Sequence, residues 1–115
     1  MKLPNCARAF VPREKVTAYL LSSTHRLGRS KAAFFTGFGF TAADWRAVAE
    51  ALLRHAADHE VAQTGETPFG IRYVVDGIMA APDGRTPNVR TVWFIETGED
   101  TPRFVTAYPL RRRSR

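Results

Sequence analysis

Helical and strand periodicities occupy different halves of this chain, and that segregation limits its fold more than any other feature. Trp45, Val48, Ala49, Leu52, Leu53 and Ala56 recur at helical spacing on one stripe. They predict a helix that follows a capping-box-like Thr41 and Asp44 and fades near His59. Two shorter helical segments precede it. One starts at Pro12, which suits a first helical position, and places Val16, Tyr19 and Leu20 on one face. The other opens at Arg29 or Ser30 and runs to about Phe38, with Gly39 as its stop. Beyond His59 the pattern changes. Residues 60–66 read as a weak strand. Residues 69–80 read as a stronger one, with Ile71, Tyr73, Val75 and Met79 on one parity and Gly77 as a candidate bulge. Pro82-Asp83-Gly84 turns the chain into a buried-type strand over 89–96. Thr97-Gly98-Glu99-Asp100 turns it again into a last strand over 103–110, where Pro109 marks an edge or an end. Helices followed by hairpins predict an α+β fold, with two to three N-terminal helices packed on a C-terminal four-stranded antiparallel sheet.

A chain of 115 residues suits one domain, expected over 1–110, with 111–115 as a flexible basic tail. The lone Cys6 allows no intramolecular disulfide, and no Cys/His cluster has zinc-site spacing, so neither a metal nor a cofactor is expected. Without an N-terminal apolar region or a long apolar span, the expected compartment is the cytoplasm, with no membrane partner.

The net charge of +6 is polarised along the chain. Residues 1–40 carry seven Lys and Arg against Glu14, residues 41–110 carry six against ten acidic residues, and the tail adds four Arg. A basic end suits a polyanion, and nucleic acid is the usual one.

Ser23-Thr24-His25-Arg26-Leu27-Gly28-Arg29-Ser30-Lys31 concentrates that charge in one turn. Cleaving RNA without a metal needs a base for the 2′-hydroxyl proton, positive charge for the phosphorane and an acid for the leaving 5′-oxygen. His25 titrates near neutrality and can serve as base or acid. Arg26, Arg29 and Lys31 can hold a phosphate at the N-terminus of the helix that follows. A second constellation lies late in the chain. Thr106 and Tyr108 share one face of a strand, and Arg90 lies on the neighbouring strand. A three-residue loop would pair Arg90 with Tyr108, whereas a loop of another length would put them on opposite faces. His55 and His59 read as structural, and Trp45 and Trp93 as core.

The stretch from Tyr19 to Phe35 resembles a family of small bacterial domains of unknown function, whose pattern is a leucine-rich helix, His-Pro-x-Gly-x-x-Lys and two aromatics. Arg26 stands where that pattern has proline. Met-Lys-Leu-Pro-Asn at the start, Arg90-Thr91-Val92-Trp93 and Val105-Thr106-Ala107-Tyr108-Pro109 extend the resemblance over nearly the whole chain. More distantly, helices before a four-stranded antiparallel sheet resemble the barnase–EndoU–colicin–RelE ribonucleases, which include many toxins. That resemblance implies a metal-independent RNA endonuclease acting as the toxin of a toxin–antitoxin module and leaving 2′,3′-cyclic phosphate ends. It implies His25, Lys31, Arg90, Thr106 and Tyr108 as catalytic residues. The implied partners are RNA, whether tRNA or mRNA, and a cognate antitoxin protein. The alternative is a non-catalytic RNA- or protein-binding module.

Overall fold

The computed structural model describes residues 1–21 and 29–110. A 3-10 turn at Cys6–Arg8 leads to a π-helix at Lys15–Leu20. Helix α1 spans Arg29–Gly37 and helix α2 spans Trp45–Asp58. Four strands follow: β1 Val61–Thr67, β2 Gly70–Ile78, β3 Asn88–Glu96 and β4 Arg103–Pro109, in the sheet order β1-β2-β3-β4 with every pair antiparallel. This is the α+β arrangement expected from the segregated periodicities.

One face of the sheet builds the core. Tyr73, Val75, Val89, Trp93, Phe104 and Ala107 pack there with Val48 and Leu52 of α2, Phe35 of α1, and Val16 and Leu20 of the π-helix. Because alternate strand residues point to opposite sides, the residues between them line a second face that carries none of this cluster. The buried apolar side chains of the core supply most of the folding force, at about 25 cal/mol for each Å² removed from water.

Several local devices differ from the periodicity reading. The first helical segment winds with an extra residue per turn, so Leu21 N–H reaches the Val16 carbonyl at 2.9 Å. This places Val16 and Leu20 wholly in the core. The expected capping box is half made. Asp44 N–H donates to the Thr41 hydroxyl at 3.3 Å, but Asp44 itself precedes the helix and makes no side-chain cap. Gly39, with φ +99°, turns the chain after α1 as expected. Arg85, from the loop between β2 and β3, donates to the Gly37 carbonyl at 2.9 Å and lies 4.3 Å above the Phe38 ring. It supplies the positive charge that the end of α1 lacks and ties that helix to the sheet.

Gly77 is not a bulge, since β2 and β3 pair without interruption through Gly77 and Val89. The glycine instead makes room for the ring of His59, whose Nε2 lies 2.8 Å from the Ile78 carbonyl. A methyl group at position 77 would fall 2.5 Å from the ring carbons. Gly77→Ala is therefore expected to push His59 off the strand and to destabilise the fold by about 1–3 kcal/mol, read as a lower urea midpoint at unchanged slope.

Candidate active site

The second face of the sheet is ordered in rungs. Register pairs Asp76 with Arg90 across β2 and β3, and Arg90 with Tyr108 across β3 and β4. One rung along, Val74, Val92 and Thr106 are aligned, and beyond them Arg72, Phe94 and Arg103. Val74 and Val92 are buried although they lie away from the main core.

A β-bulge makes the first rung. Near the turn, Trp93 faces Phe104 and Phe94 faces Arg103. The register then shifts, so that Val92 faces Thr106 and Arg90 faces Tyr108. Val105 is the extra residue. Had the register near the turn continued, Arg90 would oppose Ala107, and its parity would no longer match that of Tyr108. The connection between the strands spans residues 97–102 rather than three residues. The bulge brings the two side chains to the same face all the same.

Arg90 forks onto Asp76 with both oxygens engaged. Its Nε donates to Oδ1 at 2.7 Å and its Nη2 to Oδ2 at 2.8 Å. Both side chains are about three-quarters buried, with 25% and 23% of their surface exposed. The Asp76 carboxylate raises the pKa of the guanidinium, burial opposes this, and a hydrogen bond with the Tyr108 side chain adds to it. Arg90 is therefore a fixed cation at every accessible pH, with its plane set by a bidentate carboxylate. Such a group can stabilise negative charge that develops on an oxyanion without first having to be oriented.

Arg90, Thr106 and Tyr108 thus converge on one face, in adjoining rungs. Lys31 and Arg29 sit in the first turn of α1, a helix that packs against β4 and the π-helix. His25, Arg26 and Gly28 lie outside the described residues, as do residues 111–115. Asp76 was not among the residues expected from sequence, although it organises the site.

The two described histidines serve the fold. His55 is 2% exposed on α2, with Nε2 at 2.8 Å from the Val89 carbonyl and 3.1 Å from that of Gly77. Its Nδ1 lies 3.2 Å from the Thr91 hydroxyl, which accepts from Trp93 Nε1 at 2.9 Å. One assignment satisfies the whole chain of bonds. Trp93 donates to Thr91, Thr91 donates to Nδ1 of a neutral His55, and Nε2–H donates to Val89. Burial lowers the pKa of His55 and so favours this neutral form. Trp93 is fully buried, as expected of a core residue. Trp45 is half-buried, with Arg13 and Arg46 over its ring at 5.9 and 5.4 Å. Arg103 approaches Glu96 only at 4.0 Å. Among the described residues, no helix is long and apolar enough to cross a membrane.

Comparison with known proteins places this architecture. The family described as "Domain of unknown function (DUF6883)" matches residues 2–111. No curated protein matches the chain. Among solved structures, a chain of the contact-dependent growth inhibition toxin–immunity protein complex from Klebsiella pneumoniae 342 is similar to this one. Its TM-score is 0.70 at 16% identity, and the match covers 93% of this chain and 97% of that chain. The two share a fold.

Proposed function

The chain belongs to the DUF6883 family, and we propose that it is a metal-independent RNA endonuclease, the toxin of a toxin–antitoxin module, with Arg90, Thr106 and Tyr108 acting from the second face of the sheet. The observation that carries this reading is the rung Asp76–Arg90–Tyr108 with Thr106 beside it. An oriented guanidinium, a phenol and a hydroxyl share one face that the core does not use. The fold shared with a chain of a toxin–immunity complex supports the toxin reading and a cognate inhibitor protein as partner.

In this mechanism the 2′-hydroxyl of the RNA attacks the adjacent phosphorus and His25 takes its proton. The crowded phosphorane places extra negative charge on its equatorial oxygens, and Arg90 and Lys31 stabilise it. Arg26 and Arg29 hold the neighbouring phosphate, while Thr106 and Tyr108 orient the reacting one. The protonated His25 then gives its proton to the 5′-oxygen as that group leaves, so that a 2′,3′-cyclic phosphate and a 5′-hydroxyl form and the imidazole returns to its neutral form. Asp76 keeps the guanidinium plane fixed throughout by accepting from both Nε and Nη2 of Arg90.

Incubating the purified protein, free of any bound inhibitor, with total tRNA and mRNA in EDTA is the direct test. Fragments with 2′,3′-cyclic phosphate ends are expected, and intact RNA under these conditions overturns the reading. A second reading, a non-catalytic RNA- or protein-binding module, is favoured by one observation: Asp76 already occupies the fork of Arg90. On that reading, wild type and His25→Ala bind RNA or partner alike and neither cuts.

A further inference from the structure

The rung two steps from Arg90 has its own character. Phe94 is half-buried on β3, with Arg72 of β2 opposite it on one side and Arg103 of β4 on the other. Arg72 is exposed, and Arg103 has 47% of its side chain exposed. The ring tip of Phe94 is held against Gly70, where a methyl group would come within 2.8 Å of it. Beside Phe94, a groove of about 530 Å³ runs past Arg103 and Val105 to Pro12, Glu14 and Lys15. That volume lies within the range of about 300–1,000 Å³ typical of small-molecule sites.

We infer that this groove is a second nucleotide subsite, where a base of single-stranded RNA stacks on Phe94 while Arg72 and Arg103 hold the flanking phosphates. The inference rests on the RNA reading of the Arg90 site and extends it to the substrate's neighbouring nucleotides. Phe94 lies four residue steps along β3 from Arg90, which is about 13 Å at the rise of an extended strand. About four nucleotides span that distance at the 3.4 Å stacked rise, and fewer do so when the strand is extended. Both side chains lie on the same face, so one strand can engage both without bending around the sheet. The occupant is single-stranded because stacking on an aromatic ring needs an unpaired base face.

Charge favours a polyanion. Arg72 and Arg103 flank the ring, and Lys15 lies at the far wall of the groove. Three carboxylates are near: Glu14 in the groove, and Glu96 and Glu99 in an adjoining small cavity. Only Glu96 approaches Arg103, at 4.0 Å, with both side chains about half exposed. An exposed pair of that length is worth little, and a phosphate can replace it.

The test uses a labelled 2′-O-methyl RNA octamer. It lacks the nucleophilic hydroxyl and cannot be cut, so binding is read independently of cleavage. Phe94→Ala is expected to weaken octamer binding by about 5- to 150-fold, the equivalent of one lost base stack. Phe94→Leu, which keeps an apolar side chain against Gly70, is expected to fold like wild type and still bind poorly. Replacing Arg72 and Arg103 together by Gln should lower the slope of log affinity against log salt by about 0.7 for each lost phosphate contact. Dinucleotide cleavage should be unaffected by all of these changes. Equal octamer affinity for wild type, Phe94→Ala and Phe94→Leu overturns the subsite while leaving cleavage at Arg90 standing. Octamer binding that depends on Phe94, in a protein that cuts no RNA, retains the subsite and overturns the endonuclease reading. No octamer binding by the wild type overturns the subsite and points the groove toward a protein partner.

Discussion

Arg90→Ala is expected to slow RNA cleavage by about 10²–10³-fold, the usual effect of removing one preorganised group that stabilises an oxyanion. The reason lies in how Arg90 is held. A surface arginine samples many rotamers and must be ordered as the reaction proceeds. This one is three-quarters buried and fixed by two hydrogen bonds of 2.7 and 2.8 Å to Asp76. Its charge is therefore in place before the phosphorane forms. Arg90→Lys keeps the charge but cannot fork onto both carboxylate oxygens, so most of the activity should still be lost. Removing the guanidinium also leaves Asp76 without its partner in a largely buried position, at a cost in stability of about 1–3 kcal/mol. Thermal unfolding measured beside initial rates separates the two effects, because a folded Arg90→Ala variant below its melting point should remain slow. Arg54→Ala is the control, since that side chain is 79% exposed on α2 and pairs with Asp58 at 3.8 Å. Cleavage by folded Arg90→Ala within a few-fold of wild type would remove Arg90 from the mechanism.

Periodicity carried much of this architecture, and register carried the site. The stripe Val48, Ala49, Leu52 and Ala56 is buried as a helix because its spacing matches 3.6 residues per turn. The strands came out within a residue or two because apolar parity survives any error at their ends. The π-helix was not legible. One extra residue per turn leaves Val16 and Leu20 on the buried side in either winding. Asp76 was legible and was missed. A hairpin centred on Asp83, the middle of the recognised turn, sets Asp76 opposite Arg90. The second hairpin was harder. Its outcome depends on a bulge at Val105, and nothing in Phe104-Val105-Thr106 distinguishes a bulged strand from a regular one. One residue of register decides whether Arg90 meets Tyr108, so the late constellation could be stated from sequence only as two alternatives.

His55→Ala is expected to cost about 3–5 kcal/mol, a large part of the roughly 5–15 kcal/mol that holds a domain of this size together. Two losses combine. A side chain only 2% exposed leaves a cavity between α2 and the sheet. The chain Trp93–Thr91–His55–Val89 also loses its middle member, so the Thr91 hydroxyl loses its acceptor and the Val89 carbonyl its side-chain donor, both away from water. Burial holds the ring neutral in the folded state and lowers its pKa below 6.5. The unfolded chain therefore binds the proton first as pH falls. Between about 6.5 and the lower folded value, the unfolded state carries more protons than the folded one. Stability present above pH 6.5 is lost across that window, at up to about 1.4 kcal/mol per pH unit for this one group. His55→Gln can still donate to Val89 but does not titrate. It should be destabilised less than His55→Ala, and its stability should lose this slope between pH 7.5 and 5. Urea unfolding of the three proteins across that range is the measurement. A wild-type slope that persists in His55→Gln would assign the pH dependence to other groups, and a His55→Ala loss below about 1 kcal/mol would mean that the buried network adds little to the fold.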